Sequence, residues 1–213
     1  MNIAVIKINS VLNKNSEVKW LRSSFGSDNF SNSFFHNHQN NEVMYRYPLI
    51  QYKIIDNKIV LLAIDEAIGD LKKTILENDF IRIKDDKYEI ERLEIKEYKH
   101  NLTATDRYIK YTFQTPWFAL QQKNHVTYLG LTPIEKEQFL QKIMIGNVIQ
   151  LCKNRHQIEK PLHVELDVRE TEIIFKEIKH IGFAGSFKIN FDLPDYIGLG
   201  KSTSRGFGVI IRG

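Results

Sequence analysis

Two histidines separated by one residue, in Phe35-His36-Asn37-His38-Gln39, form a pair whose types and spacing could do chemistry. An unperturbed imidazole titrates near pH 6.5, so it offers both a base and an acid close to neutrality. The other five histidines, His100, His125, His156, His163 and His180, stand singly along the chain. The same H-x-H spacing can present two zinc ligands from an extended segment. A closed zinc site needs about four ligands, however, and Gln39, Asn40 and Asn41 are poor candidates to complete one.

A second feature is the run Gly198-Leu199-Gly200-Lys201-Ser202-Thr203-Ser204-Arg205-Gly206-Phe207-Gly208. Two Gly-hydrophobic-Gly units bracket five polar residues that include Lys201 and Arg205. Glycines permit positive φ and close backbone approach. A basic hinge of this kind can turn several N–H groups, Ser202 and both cations toward a phosphate. Gly200-Lys201-Ser202 imitates the end of a phosphate-binding P-loop, but the required first glycine falls on Asp195. A P-loop also runs into a helix, whereas Val209-Ile210-Ile211 reads as a strand, so that reading is excluded. A plain polar hairpin loop needs one or two glycines rather than four.

GLGKSTSRGFG resembles the glycine-rich loop of the CRISPR-associated RAMP proteins. Among these it is most similar to the endoribonucleases that cut CRISPR repeat RNA, the Cas six family. The resemblance extends over most of the chain. YRYPLIQYK (residues 45–53) stands where this family places its first hairpin, and FAGSFKINFDLPDYIGLGKSTSRGFGVI (residues 183–210) is the more specific segment. The resemblance implies two ferredoxin-like domains in tandem and a catalytic histidine after the first helix. That position carries over onto the Phe35–Gln39 segment without separating its two histidines. The expectation is placed on His38, with His36 assisting or orienting the phosphate.

For such an enzyme the RNA supplies its own nucleophile. Removing the proton from a 2′-OH lets that oxygen attack the adjacent phosphorus in line, leaving a 2′,3′-cyclic phosphate and a 5′-OH. The protein must provide a base, an acid for the leaving oxygen and cations for the phosphorane charge, and no metal or other cofactor is needed. Lys53 is the expected third catalytic group. Gly198, Gly200, Lys201, Ser202, Arg205, Gly206 and Gly208, with Arg22 and Arg46 near the histidine segment, are the expected RNA contacts. The implied partner is CRISPR repeat RNA, as precursor and as mature guide, and both a homodimer and association with an effector complex are left open. The competing reading within the same superfamily is a non-catalytic RNA-binding subunit of an effector complex, which would not need the histidine pair.

The elements that must position these groups can be read in order. Asn2 to Ile8 reads as a buried strand. Val18, Leu21 and Phe25 give a helical stripe with Ser16 as N-cap. Ser23 to Asn41 reads as a polar loop. Tyr45 to Ile55 and Lys58 to Ile64 are strands joined by Asp56-Asn57, a hairpin turn signal. Period two puts Ile50, Tyr52 and Ile54 on one face of the first of these, and Tyr45, Tyr47, Leu49, Gln51 and Lys53 on the other. The first face is the expected core. The second is expected to border a substrate cleft, with Tyr45 and Tyr47 able to stack on a base or to pack over the hairpin. Asp65 to Asn78 reads as a helix, Phe80 to Ile83 as a strand, and Tyr88 to Tyr98 as an extension of the sheet. The resulting order, β-α-β-β-α-β, is the ferredoxin-like unit.

The polar stretch Lys99 to Asp106 marks the expected boundary, with domains over 1–98 and 107–213. In the second half, Tyr108 to Thr115 reads as a strand and Thr132-Pro133 opens a long helix to about Asn154. Leu162 to Arg169, Glu172 to Ile178, Gly182 to Phe191 and Gly206 to Ile211 read as strands. Leu193 to Gly200 stands where a second helix belongs and is at best a short one. The fold class is therefore α+β, with a degenerate second helix in the second domain. The RNP aromatic signature of RNA recognition motifs is absent, so base stacking on an open sheet is not expected and phosphate contacts and shape should dominate.

Composition sets the outer bounds. The chain has 213 residues, a net charge of +4 and 42% hydrophobic residues, enough for packed cores. The single cysteine, Cys152, excludes an internal disulfide framework and agrees with a reducing cytoplasm. No stretch reads as a secretory h-region or a membrane span.

Overall fold

The computed structural model describes residues 1–10, 12, 18–28, 32–35, 38–39, 42–43, 47–84 and 86–213, with only the backbone given for Asp28, His38, Gln39, Glu42 and Val43. Two compact units are present: residues 1–100 together with Ser204–Gly206, and residues 101–203 together with 207–213. Among the described residues no helix is long and apolar enough to cross a membrane.

In the first unit, β1 (Asn2–Asn9) leads to α1 (Val18–Asp28), the two-residue strands β2 (His38–Gln39) and β3 (Glu42–Val43), and the hairpin β4 (Ile50–Ile55) and β5 (Lys58–Ile64). Then come α2 (Ala67–Leu76), the hairpin β6 (Phe80–Ile83) and β7 (Asp86–Glu89), and β8 (Arg92–Lys99). The main sheet has the order β4-β5-β1-β8. Counting only its own strands, this is the 4-1-3-2 antiparallel order of a ferredoxin-like sheet. All six residues of β5 after Lys58 are buried. Its unbroken run Ile59–Ile64 fits a strand covered on both faces. Asp56 and Asn57 both adopt positive φ in the β4–β5 turn, as the Asp-Asn signal requires.

Three elements differ from what the sequence predicts. Ser23 to Asp28 is helix and not loop, because Leu21 and Phe25 are both buried and carry the helical register through the serines. The first hairpin strand begins at Ile50 rather than Tyr45. Pro48 lacks the N–H that a ladder needs, and Tyr45 lies outside the described residues. Phe80–Ile83 does not join the main sheet. It pairs with Asp86–Glu89 in a separate ribbon that includes Tyr88, and Arg92–Lys99 takes the place beside β1.

The second unit comprises β9 (Thr103–Phe113), α3 (Gln122–Leu129), α4 (Pro133–Cys152), β10 (Val164–Phe175), β11 (Ile178–Asp192) and β12 (Ile210–Arg212). Its sheet order, β10-β11-β9-β12, repeats that of the first unit. Helix α4 starts as its sequence requires: Glu135 accepts from the Thr132 backbone N–H at 2.9 Å in a capping box, with Pro133 following. Where three strands were expected there is one long hairpin, turning at Lys176-Glu177 rather than ending a strand at Ile178. Both turn residues take positive φ without glycine, so the turn carries no Gly or Pro signal. The second helix is missing as anticipated, and only a 3-10 turn, Thr203–Arg205, stands in that region.

Candidate functional site

The glycine-rich segment is seated on its own unit by backbone hydrogen bonds rather than by a helix. After β11, the buried residues Leu193, Ile197 and Leu199 would leave main-chain groups unsatisfied. The Tyr111 hydroxyl answers part of that need, accepting from Leu193 N–H at 2.8 Å and donating to Leu193 C=O at 3.1 Å. Gly198 bridges Val209, and Leu199 N–H donates to Gly208 C=O at 2.9 Å. Gly208 N–H reaches Pro116 C=O at 2.9 Å, and Lys201 N–H reaches Phe118 C=O at 2.8 Å. Gly208 has φ +66°, and a Cβ there would lie 1.9 Å from Leu199 O. Gly200 and Gly206 also take positive φ, as does Ser202. The close approach that the glycines permit is therefore made to the protein's own backbone.

Ser204–Gly206, the tip of the loop, belongs to the first unit. A Cβ on Gly206 would lie 3.1 Å from the carbonyl oxygen of Tyr52 and 3.3 Å from the Val18 side chain. Val18, Arg22 and Phe25 fall on one face of α1 by the i, i+4, i+7 rule. Phe25 packs on the Tyr52 ring of β4 with centroids 5.5 Å apart. Arg22, one turn beyond Val18, is therefore brought to Arg205, the residue before Gly206. Burial, the Arg205 guanidinium and, in the opposite sense, Tyr52 act on Arg22, and the net effect weakens its hold on its proton. Arginine does not deprotonate in practice, so the effect is a cost of keeping a buried guanidinium charged, to which the like charge of Arg205 adds. Among the described residues, two buried polar atoms here have no hydrogen-bond partner, Arg22 Nε and the Tyr52 hydroxyl. Burial also raises the Tyr52 phenol above its ordinary value, which keeps it neutral.

Lys53 lies elsewhere than expected. Lys53 and Gln51 are both fully buried, so this side of β4 does not border an open cleft. Lys53 Nζ donates to Gln51 Oε1 at 3.0 Å, and Gln51 Nε2 donates to the Tyr47 hydroxyl at 2.8 Å. Burial pushes the Lys53 ammonium well below the ordinary lysine value. In sequence a Gln-x-Lys alternation looks the same whether the face is wet or covered.

His36 and Arg46 lie outside the described residues, and for His38 only the backbone is described, paired with Val43 in the β2–β3 ribbon. Of the remaining expected contacts, the structure brings Arg22 and Arg205 together. Lys201 is placed separately, its ammonium 4.5 Å from the centre of the Phe118 ring.

Comparison with known proteins covers the chain from end to end. The Cas6b N-terminal domain model matches residues 1–101 and the Cas6b C-terminal domain model matches residues 103–213. An uncharacterized protein of Methanocaldococcus jannaschii is 38% identical over 111 residues, 51% of this chain and 76% of its own length. A crystal structure of Cas6b superposes with a TM-score of 0.92 at 33% identity, covering 100% of both chains. A CRISPR RNA processing endoribonuclease Cas6b superposes at 0.80 with 30% identity, again over 100% of both. A Cas6 product complex, at 12% identity and a TM-score of 0.69, shares the fold.

Proposed function

The chain belongs to the Cas6b family, and from that premise we propose that it is a CRISPR RNA processing endoribonuclease, cutting repeat RNA in precursor transcripts to release guide RNAs. The observation that carries the reading in this chain's own geometry is the meeting of Arg22 and Arg205. Two guanidinium groups close enough to act on one another electrostatically form an arrangement that a phosphodiester can bridge. RNA offers such groups in series, and a loop tip that brings Arg205 to α1 would grip one of them.

In the proposed reaction His38 removes the proton from the 2′-OH, and that oxygen forms the new P–O bond. The bond from phosphorus to the departing 5′ oxygen breaks, and that oxygen takes up a proton, with His36 assisting or orienting the phosphate. The products are a 2′,3′-cyclic phosphate and a 5′-OH, and no metal takes part. Arg22 and Arg205 hold the backbone. Lys53, buried and inclined to be neutral, acts in this scheme through the Gln51–Tyr47 hydrogen bonds rather than by touching phosphate in the conformation described. A homodimer would elute at twice the mass of the chain in size-exclusion chromatography, and association with an effector complex would show as co-elution with its other subunits.

The test is incubation of the purified protein with repeat RNA from the host's own array in EDTA. Cleavage should proceed and leave a cyclic phosphate, and a 2′-deoxy substitution at the nucleotide 5′ of the cut should abolish it. Cleavage of the deoxy substrate would overturn the internal-nucleophile mechanism. Tight binding with no cleavage under any ionic condition would point instead to a non-catalytic RNA-binding subunit.

A further inference from the structure

The second unit carries a cluster of cations on aromatic rings that the proposed chemistry does not use. In the β10–β11 hairpin, Phe175 pairs with Ile178 and Ile173 with His180, so these four side chains share one face. Phe175 packs against two residues brought from distant segments. Its centroid is 5.5 Å from that of Phe118 and 6.1 Å from that of Phe207. Phe118 is buried, whereas Phe175 and Phe207 are half-buried and Ile178 at the tip is 61% exposed.

Around these rings stand three groups that are or can become cationic. Lys201 Nζ lies 4.5 Å from the Phe118 centroid and 5.3 Å from that of Phe175, and Lys176 Nζ lies 5.9 Å from Phe175. The His180 ring is 5.2 Å from Phe118. Burial and then the neighbouring Lys176 weaken the Lys201 ammonium, while burial, Lys201 and His125 act in the same direction on His180. Among the described residues, none of the Lys176, Lys201 and His180 side chains makes a hydrogen bond or an ion pair. Cations gathered against low-dielectric rings without a carboxylate partner carry a repulsion that a bound anion removes. Half-exposed rings beside them offer a surface to a flat apolar group. A nucleotide combines both features, and only an unpaired one can present its base face to a ring.

We propose that Phe175, Phe207, Lys176, Lys201 and His180 form a seat for one unpaired nucleotide of the RNA, its base stacked at Phe175 and its phosphate held between Lys176 and Lys201. The inference rests on the reading of the protein as one that binds and cuts RNA. It adds a second point of attachment, distinct from the Arg22–Arg205 pair and built wholly within the second unit.

The test measures binding of a repeat RNA made uncuttable by a 2′-deoxy at the cleaved nucleotide. Phe175→Leu keeps apolar bulk and removes the π face, and it should weaken binding roughly tenfold, within the range that stacking of one base supplies. Phe175→Trp should bind at least as well as wild type. Lys176→Ala, on an exposed side chain, should weaken binding and lower the slope of log K against log salt by about 0.7, the loss of one phosphate contact on a single strand. Wild-type affinity for both Phe175→Leu and Lys176→Ala overturns the seat. So does an equal loss for Phe175→Leu and Phe175→Trp that tracks a lowered melting temperature, since that marks a packing role. Failure of the wild-type protein to cut the all-ribose RNA refutes the parent reading instead. Cutting by a wild type whose variants bind undiminished refutes the seat alone.

Discussion

A buried amine holds its proton less firmly than a solvated one. Lys53 is fully buried with a pKa lowered by desolvation, so the unfolded chain binds its proton more tightly than the native one. The unfolded state therefore holds more protons below the ordinary lysine value of 10.5, and this residue's contribution to stability falls as pH drops from there. Lys53→Met removes that dependence. The melting-temperature difference, variant minus wild type, should be more favourable to the variant at pH 7 than at pH 10, and a difference independent of pH would contradict a buried, neutral-leaning amine. Loss of a general acid–base group typically costs about 10²–10⁴ in rate. His38→Ala should remove cleavage on that scale in single-turnover assays while RNA affinity changes little, with His36→Ala milder. Wild-type rates for both would sink the assignment of this segment as the active site.

At the level of elements, the glycine-rich segment works as a clasp whose backbone, outside the Ser204–Gly206 tip, is committed to its own unit. Gly208 is the tightest point, with φ +66° and a virtual Cβ 1.9 Å from Leu199 O. Gly208→Ala must break the Leu199–Gly208 or the Gly208–Pro116 hydrogen bond, and should cost at least about 2 kcal/mol in denaturant titration. Gly146, exposed in the middle of α4, is a control of opposite sign. A Cβ there meets nothing within 4 Å, so Gly146→Ala should stabilise by about 0.5–1 kcal/mol. If Gly208→Ala proves as benign as Gly146→Ala, the clasp does not depend on that close approach. The hairpin turn at Lys176-Glu177 is a different device, since two non-glycine residues with positive φ there place Lys176 at the edge of the aromatic cluster.

Over the whole molecule, a net charge of +4 spread through 30 basic and 26 acidic residues is too balanced to bind a polyanion by field alone. In the proposed reading placement carries the affinity: Arg22 beside Arg205 in one unit, Lys201 beside Lys176 in the other. Arg22→Ala and Arg205→Ala should each weaken binding to the uncuttable RNA. The double variant should lose less than the sum of the two, as two groups proposed to grip one phosphate would. The salt slope of that double variant should fall by about 0.7–0.9, one contact's worth, and an unchanged slope would remove the pair from the RNA interface.

Much of this is legible in the sequence alone. The α+β class, the Val18–Phe25 stripe, the Asp56-Asn57 turn, the Thr132-Pro133 helix start and the loss of a helix before the glycine-rich loop are local signals, written in neighbours a few residues apart. Sequence spacing alone made Arg205 and Arg22 candidates singly, and it made the loop's glycines stand out. It could not decide that Arg22 and Arg205 meet, that Lys53 is sealed from water, or that Phe118, Phe175 and Phe207 converge with Lys176 and Lys201. Those facts depend on which faces the sheets and helices cover and on contacts between residues up to 183 positions apart. Burial and electrostatic neighbourhood follow from packing in three dimensions, and no periodicity along the chain encodes them.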